Sequence, residues 1–273
     1  VNSFFYWFRK LRINIPNDRK VTLLDGGCGD GVIPEQLLHN NASLHITGFD
    51  ASEKQVLGAI ERCKEFKNRS DFLVETFDSI SPAFQRHRKE PVDLVIANYS
   101  LHLTPSMESA IQNLTNCLKP GGELLAITPI TVPFASLIYH DGMKDVRFAK
   151  YLVQMKDKID DDHPNGLKFW KEENLKWMAP SKVRGLSQIA VSSGLVPLST
   201  FSAMRHSIMK EEDLSPIVTG VNPFTLLIPE ELREDFQEFS IKACKRANLP
   251  IKQSDGSIRY SSYEELVLHA RKL

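Results

Sequence analysis

Seven residues near the N-terminus, Asp25-Gly26-Gly27-Cys28-Gly29-Asp30-Gly31, carry the clearest chemical signal in this chain. An acidic residue is followed at alternate positions by Gly27, Gly29 and Gly31, and an apolar run at 21–24 precedes them. Glycine has no side chain, so a glycine loop between a strand and a helix lets the backbone approach a ligand closely. This spacing predicts a site for a nucleotide-type cofactor.

Three kinds of glycine loop bind such cofactors, and the residues around Gly29 distinguish them. The phosphate-binding loop needs Gly, four residues and then Gly-Lys-Ser/Thr, a string that the sequence lacks. The dinucleotide fingerprint G-x-G-x-x-G fails because Val32 stands where its third glycine belongs. The pattern acidic-x-Gly-x-Gly-x-Gly is complete. A second acid, Asp50, ends the next apolar segment, where one carboxylate can hold both hydroxyls of an adenosine ribose, as it also does in NAD sites.

The elements that position these residues alternate between strand and helix patterns. Such alternation predicts a parallel sheet with crossover helices. Pro34 suits the first turn of the helix after the glycine loop, and Ser52 is a candidate N-cap for the next helix. The predicted strands lie at 21–24, 44–49, 72–77, 92–97 and 123–128, and the predicted helices follow the glycine loop and span 52–66 and 106–118.

The second half of the chain has a different sequence pattern. Aromatic residues lie among polar stretches without strand alternation after residue 130, which predicts a helical insertion. Leu232, Phe236, Phe239 and Ala243 fall on one helical face. Strand patterns return at 195–208 and 263–270. We therefore expect an N-terminal helix or lid at 1–20, a cofactor-binding core at 21–130, a helical cap at 131–180, and a C-terminal part of the core at 181–273 with a second cap segment at 211–250.

The composition narrows the class of protein. In 273 residues, 34 Lys and Arg balance 34 Asp and Glu, so the totals argue against a nucleic-acid partner. No apolar stretch has membrane-spanning length and no signal peptide opens the chain, which predicts no membrane partner and a cytoplasmic location. The four cysteines lie far apart, as expected for reduced thiols. The run 160–163, Asp-Asp-Asp-His, is typical of a solvated loop, and no metal is expected.

Further motifs follow the glycine loop in order: Gly-Phe-Asp at 48–50, Asp-Leu-Val-Ile-Ala-Asn at 93–98 and Leu-Lys-Pro-Gly-Gly at 118–122. Together they resemble the class I S-adenosylmethionine-dependent methyltransferases from residue 23 to about 128. The resemblance implies an α/β, Rossmann-like fold with a seven-stranded, mostly parallel sheet, helices on both faces and an antiparallel last hairpin. The helical cap would be inserted after strand 5 and between the last strands.

The resemblance also implies the cofactor, S-adenosyl-L-methionine, with S-adenosyl-L-homocysteine as product. Backbone at Gly27 and Gly29 would approach the methionine part, and Asp50 would bind the ribose. The register after strand 3 leaves two alternatives for the adenine, Asp78 or the pair Thr76 and Phe77. The expected cofactor-binding residues are Asp25, Gly27, Gly29, Asp50, Ala51, Thr76, Phe77 and Asn98.

The methyl acceptor is expected beside the fourth strand. The segment 98–103, Asn-Tyr-Ser-Leu-His-Leu, lacks the Asn/Asp-Pro-Pro-Tyr/Phe motif that accompanies methylation of amino groups on bases or glutamine. His102 is the candidate general base, with packing against the sheet as the alternative. The aromatic residues are candidates for a pocket wall or for the cap's own core. The expected pocket residues are Tyr6, Tyr99, Tyr139, Trp170 and Trp177.

The C-terminal part, through 228–233 and 263–272, is loosely similar to trans-aconitate and juvenile hormone acid methyltransferases. That similarity implies O-methylation of a small, partly apolar molecule, with a carboxylate as acceptor. One alternative is a methyltransferase acting on tRNA or protein, with a basic entrance to its pocket. The other is a non-catalytic methyltransferase-fold subunit that binds or stabilises a partner. Candidates for the basic entrance are Arg62, Lys64, Lys67, Arg86, Arg88 and Lys89.

Overall fold

The structure of the protein is a computed structural model. It describes residues 2–88, 90–129, 138–139, 141–153, 180–209, 224–247, 251–252 and 258–273. The expected pocket residues Trp170 and Trp177 lie outside the described residues, as do most of the expected cap at 131–180 and part of the segment at 211–250.

The first half of the chain alternates strands and helices as the apolar pattern predicts. Helix α1 (Asn2–Lys10) comes first. The elements that follow are β1 (Val21–Gly26), α2 (Val32–Asn40), β2 (Leu44–Asp50), α3 (Glu53–Arg62), β3 (Ser70–Val74), α4 (Ile80–Arg88), β4 (Val92–Asn98), α5 (Met107–Asn116) and β5 (Leu118–Pro129).

The second half supplies the remaining described helices and strands. They are α6 (Ala149–Leu152), α7 (Pro180–Ser192), β6 (Leu195–Met209), α8 (Arg233–Ala247), β7 (Ile251–Lys252) and β8 (Ile258–Lys272). None of the helices in the described ranges is both long and apolar enough to cross a membrane.

One sheet joins the strands in the order β3-β2-β1-β4-β5-β8-β6, with the two-residue β7 paired to β8. The pairs β1–β2, β2–β3, β1–β4 and β4–β5 are parallel. The predicted Rossmann-like, seven-stranded, mostly parallel sheet is therefore confirmed. The strand order reverses beside β1, whose neighbours are β2 and β4. In such sheets, ligands bind in the crevice at the carboxyl ends of the strands where the order reverses.

The centre of the sheet is covered on both faces. Leu23 and Leu24 of β1 and Val95 and Ile96 of β4 are fully buried, although successive residues of a strand point to opposite faces. An apolar run of this kind is what a parallel strand between two helical layers requires. The central strands thus give the site a rigid base.

Two strands have boundaries that differ from the prediction, and one helix was not predicted. Strand β3 ends at Val74 rather than at residue 77, because a turn follows in which the Ser79 hydroxyl donates to the Glu75 carboxylate. Helix α4 had not been predicted at all. Strand β5 begins at Leu118, so the Lys-Pro-Gly-Gly segment belongs to the strand instead of preceding it.

The chain divides into two compact units. The first consists of Val1–Thr128, Ala179–Ser202 and Leu266–Leu273, and the second of Pro129–Met178 and Ala203–Glu265. Within the second unit, Phe148, Phe236 and Ala243 are buried in one apolar cluster, and Leu232 and Phe239 pack against it. The predicted core-facing stripe of this helical segment is therefore confirmed.

Candidate functional site

The glycine loop leads from β1 into α2 with a backbone that ordinary residues avoid. Gly27 has φ of 72° and Gly29 has φ of 55°, both in the left-handed region. A Cβ on Gly27 would collide with Ser100, so this glycine is required by packing. A Cβ on Gly29 would meet no atom within 4 Å. The space above Gly29 is therefore open to a ligand that approaches the backbone.

Asp50 ends β2 and connects the glycine loop to the start of α3. Its Oδ2 accepts a hydrogen bond from the backbone N–H of Gly29 at 3.0 Å, and its Oδ1 accepts one from the N–H of Ser52 at 2.9 Å. A carboxylate can accept about four hydrogen bonds, so two positions remain for further donors. The predicted contact with ribose hydroxyls is compatible with this geometry and stays a prediction.

Asp25 is a buried acid at the end of β1. Only 2% of its surface is exposed, and its Oδ2 has no hydrogen-bond partner in the described part of the protein. Burial raises the pKa of this carboxyl from 3.8 to about 8, and the nearby charge of Asp50 contributes in the same direction. The group is therefore mainly protonated at neutral pH. A buried polar atom without a partner is costly, and such groups concentrate where a ligand completes the site.

Asn98 ends β4, the strand on the other side of β1. Its Oδ1 is also buried, and it too has no partner in the described ranges. Asp25 is in register with Ile96, two residues before Asn98, so both side chains leave the same face of the sheet. Two adjacent strand ends thus present buried oxygens for which the described residues provide no partner. A ligand with hydrogen-bond donors, such as an ammonium group, would satisfy them.

The residues after Asn98 turn sharply. Tyr99 has φ of 54°, a strained value for a residue with a side chain, and its N–H donates to the Ile127 carbonyl at 2.8 Å. The Ser100 hydroxyl donates to the Gly26 carbonyl at 2.7 Å. These bonds fix the β4 turn against the glycine loop, and strain of this kind is common at functional sites.

His102 lies in a short 3₁₀ turn, Leu101–Leu103, next to this segment. Burial lowers the pKa of its imidazole from 6.5 to about 4, so the ring is neutral at physiological pH. A general base works best when its pKa is close to the operating pH. The imidazole of His102 is consequently a weak base in this environment, and its predicted catalytic role stays a prediction.

The loop after β3 approaches the glycine loop from the other side. The ring of Phe77 packs edge-on against Phe49, with centroids 5.1 Å apart, and lies directly over Gly26. The Asn113 side chain of α5 donates to the carbonyl of Phe77 at 2.9 Å and thereby holds this loop. Thr76 is exposed, as is Ala51 after β2.

The expected pocket tyrosines occupy different places. Tyr99 lies at the site, on the β4 turn. Tyr6 belongs to α1, where it lines a surface cavity of about 650 Å³ together with Arg9, Lys10 and residues of α2. Tyr139 belongs to the second unit, where its ring lies 5.7 Å from that of Phe224. The structure thus brings Asp25, Gly27, Gly29, Asp50, Phe77, Asn98 and Tyr99 together in the first unit.

Sequence reasoning missed two residues that hold the site. Ser100 contacts the glycine loop, and Asn113 anchors the loop after β3. A serine two residues after Asn98 was visible in the sequence, but its contact with Gly27 depends on strand order. Within the described ranges, no group of three or more Asp, Glu, His or Cys side chains could hold a metal ion.

A profile of the methyltransferase-domain family matches residues 17–179, more than half of the chain. The chain belongs to this family. The match includes the glycine loop, Asp50 and Asn98, and it agrees with the predicted S-adenosylmethionine-dependent methyltransferase and its cofactor. This methyltransferase therefore uses S-adenosyl-L-methionine as methyl donor, in accordance with the unsatisfied acceptors at the strand ends.

Relatives of the methyltransferase include enzymes of different length. It is 25% identical over 193 residues to the ubiquinone biosynthesis O-methyltransferase of Coxiella burnetii, covering 71% of each chain. It is 33% identical over 108 residues to the highly reducing polyketide synthase calA of Penicillium decumbens, covering 38% of this chain and 4% of the synthase. It thus spans only a small part of the polyketide synthases that it matches.

Solved structures share the fold of the methyltransferase at low sequence identity. A proposed methyltransferase from Bacillus halodurans superposes with a TM-score of 0.54 at 13% identity and covers 99% of both chains. The StiE O-MT segment superposes with a TM-score of 0.51 at 13% identity, covering 99% of this chain and 74% of the other. At such identities the similarity shows the fold alone.

Proposed function

We propose that the methyltransferase O-methylates a small, partly apolar molecule and that its acceptor atom is a carboxylate oxygen. The observation that carries this proposal is the low basicity of the buried His102 imidazole beside the β4 turn. A hydroxyl acceptor must lose its proton, so it needs a base whose pKa is near the operating pH. A carboxylate is already ionised and needs none. An imidazole with a pKa of about 4 therefore fits a carboxylate acceptor better than a hydroxyl acceptor.

The residues at the strand ends would hold the donor. Gly29 offers an open approach to its backbone, and Asp50 has acceptor capacity left for the ribose hydroxyls. Asp25 and Asn98 offer buried oxygens without a partner among the described residues, and an ammonium group beside them would favour the ionised, hydrogen-bond-accepting form of Asp25. Ala51, and Phe77 with Thr76, are the proposed neighbours of the adenine. The bound donor supplies a methyl group on a cationic sulfur.

The contribution of the protein to the reaction would be alignment and exclusion of water. Methyl transfer requires the nucleophile, the methyl carbon and the leaving sulfur in line, and correct alignment of bound reactants can account for a large part of an enzyme's acceleration. The strained turn at Tyr99, fixed through the Ile127 carbonyl, places the end of β4 next to the glycine loop. This rigid turn is the proposed platform for orienting the acceptor.

One named relative supports oxygen as the acceptor atom. The Coxiella burnetii relative, which this chain matches over 71% of both chains, is named an O-methyltransferase. The lack of an Asn/Asp-Pro-Pro-Tyr/Phe motif after β4 agrees with this proposal, because the segment reads Asn-Tyr-Ser-Leu instead.

A labelled-methyl assay tests the acceptor class. The protein is incubated with S-adenosylmethionine carrying a radioactive methyl group and, separately, with pools of small carboxylic acids, phenols, tRNA and protein. The proposal expects label in base-labile esters from the acid pool, and equal turnover in the wild type and in His102→Gln. Label mainly in phenols, tRNA or protein would overturn it. So would turnover that falls by roughly a hundredfold or more in His102→Gln, the scale of a lost general base.

A further inference from the structure

A guanidinium from a distant part of the sequence contacts the glycine loop. Arg62 is the last residue of α3, and its guanidinium extends to the loop. Its Nε donates to the Asp30 carbonyl at 2.9 Å and its Nη2 to the Asp30 carboxylate at 2.7 Å. Its Nη1 donates to the Glu35 carboxylate of α2 at 3.4 Å. One side chain thus joins the loop, the helix that follows it and α3.

Asp30 stands in the loop between two glycines with left-handed backbone. It lies between Gly29 and Gly31, whose φ values are 55° and 82°. A Cβ on Gly31 would come within 2.9 Å of the Cα of Ala59 in α3. Helix α3 therefore packs closely against the loop, and a small shift of Asp30 would move the neighbouring Gly29.

Both ends of α3 are tied to the same loop. At the beginning of the helix, Asp50 accepts hydrogen bonds from the N–H groups of Ser52 and Gly29. At its end, Arg62 donates to both backbone and side chain of Asp30. The Asp50 contact holds Gly29 from the strand side, and the Arg62 contact holds its chain neighbour from the helix side. The open space above Gly29 is defined by these two attachments.

We propose that Arg62 is a positioning residue that fixes the glycine loop in the conformation required to bind the methyl donor. The proposal rests on the function proposed above and extends it to a residue outside the glycine motif. Arg62 acts through Asp30 and does not contact the donor. The ion pairs with Asp30 and Glu35 compensate the charge of Arg62, which argues against its predicted place in a basic entrance for tRNA.

The geometry predicts a defect in binding rather than in chemistry. A guanidinium that donates to a carbonyl and a carboxylate at once is better placed than a flexible ammonium, because its planar fork is preorganised. Loss of a partly exposed, charge-assisted contact weakens an equilibrium by roughly three- to tenfold. We expect an increase of this size in the Kd and KM for S-adenosylmethionine, with kcat at saturating donor unchanged.

Three variants test the assignment. Arg62→Ala removes all the contacts, and Arg62→Lys retains the charge without the fork. Lys64→Ala is the matched control, because it breaks an exposed ion pair with Glu61 three residues before it and does not contact the loop. Donor affinity is measured by calorimetry, kcat and KM by the labelled-methyl assay, and loop order by hydrogen exchange at the amides of residues 27–31.

The expected order of donor affinity is wild type equal to Lys64→Ala, then Arg62→Lys, then Arg62→Ala, with faster exchange at the loop amides in the Arg62 variants. Equal affinity in Arg62→Ala and wild type would overturn the positioning role while leaving the proposed function intact. A wild type that binds no donor would overturn the proposed function itself. If Arg62→Ala does not fold, Asp30→Asn removes the carboxylate partner of Arg62 while keeping the Asp30 carbonyl, and a smaller loss of affinity in the same direction is expected; unchanged affinity would overturn the positioning role.

Discussion

Replacing Asp25 by asparagine should stabilise the protein and weaken its function at the same time. Asp25 is buried, its Oδ2 has no partner in the described residues, and burial raises its pKa from 3.8 to about 8. In the unfolded chain the group is ionised above pH 4, whereas in the folded protein it stays protonated up to about pH 8. Folding at neutral pH must therefore take up a proton, and this uptake costs free energy.

The cost follows from the difference between the two pKa values. One pKa unit corresponds to about 1.4 kcal/mol, so the group destabilises the fold by about 2 kcal/mol at pH 5 and about 4 kcal/mol at pH 7. The pKa of this acid is higher in the folded protein than in the unfolded chain, so raising the pH lowers the free energy of unfolding. Its contribution is most favourable below pH 4, is lost progressively as pH rises, and becomes constant above about pH 8. Asparagine has nearly the same shape and no such dependence.

Urea unfolding at pH 5, 7 and 8.5 measures this effect. Hydrogen exchange at the amides of β1 and β4 is the probe, because Asp25 is part of β1 and pairs with β4. We expect Asp25→Asn to gain stability over the wild type and the gain to grow with pH. Asp18→Asn, which changes an exposed acid, should alter stability by less than about 0.5 kcal/mol at every pH. A gain that is absent at pH 7, or that does not change between pH 5 and 8.5, would refute the account of Asp25.

Three further substitutions have expected outcomes that the structure defines. Gly27→Ala places a Cβ against Ser100 at a φ of 72°, so calorimetry should show at least roughly tenfold weaker donor binding; unchanged affinity would contradict the packing of the loop. Asp50→Asn replaces one of two acceptor oxygens by a donor, so either the Gly29 or the Ser52 N–H loses its partner, and hydrogen exchange there should accelerate. Phe236→Ala empties the core of the second unit and should lower its stability by about 3–5 kcal/mol in chemical unfolding monitored by exchange in α8; a loss below about 1 kcal/mol would show that the cluster is not its core.

The sequence specified the part of the site whose chemistry is local. A strand, a glycine loop and a helix are contiguous in the chain, so the acidic-x-Gly-x-Gly-x-Gly pattern predicts their geometry directly. Asp50 and Asn98 could be predicted in the same way, because the carboxyl ends of parallel strands meet at one edge of a sheet. The strand order was not predicted, and the structure supplies it.

Contacts between distant segments could not be predicted in this way. Arg62 meets Asp30 across 32 residues, and Asn113 meets Phe77 across 36. No sequence pattern in either helix indicates such a contact, because Arg62 and Asn113 do not differ from other polar residues on exposed helical turns. The pKa values of Asp25 and His102 depend on burial, which is a property of the packed structure.

Helix α4 was missed for a different reason. Its sequence, Ile80–Arg88, is short and mostly polar, and only Ile80, Ala83 and Phe84 form its buried apolar side. Pro82 in its first turn is a signal that could have revealed it, because the N–H groups of the first turn have no intrahelical partner and proline has no N–H group. The extension of β5 back to Leu118 had no comparable signal, because Pro and Gly in 119–122 favour a turn.

Titration of S-adenosylmethionine into the wild type and into Gly29→Asn tests the central claim most directly. Asparagine tolerates the left-handed backbone of Gly29, and its side chain would occupy the open space above the loop. Gly121→Asn is the matched control, since Gly121 has φ of 76°, equally open surroundings and a position in β5 away from the loop. We predict saturable one-to-one binding to the wild type and Gly121→Asn and none to Gly29→Asn. No binding to the wild type, or equal binding to all three proteins, would contradict the account.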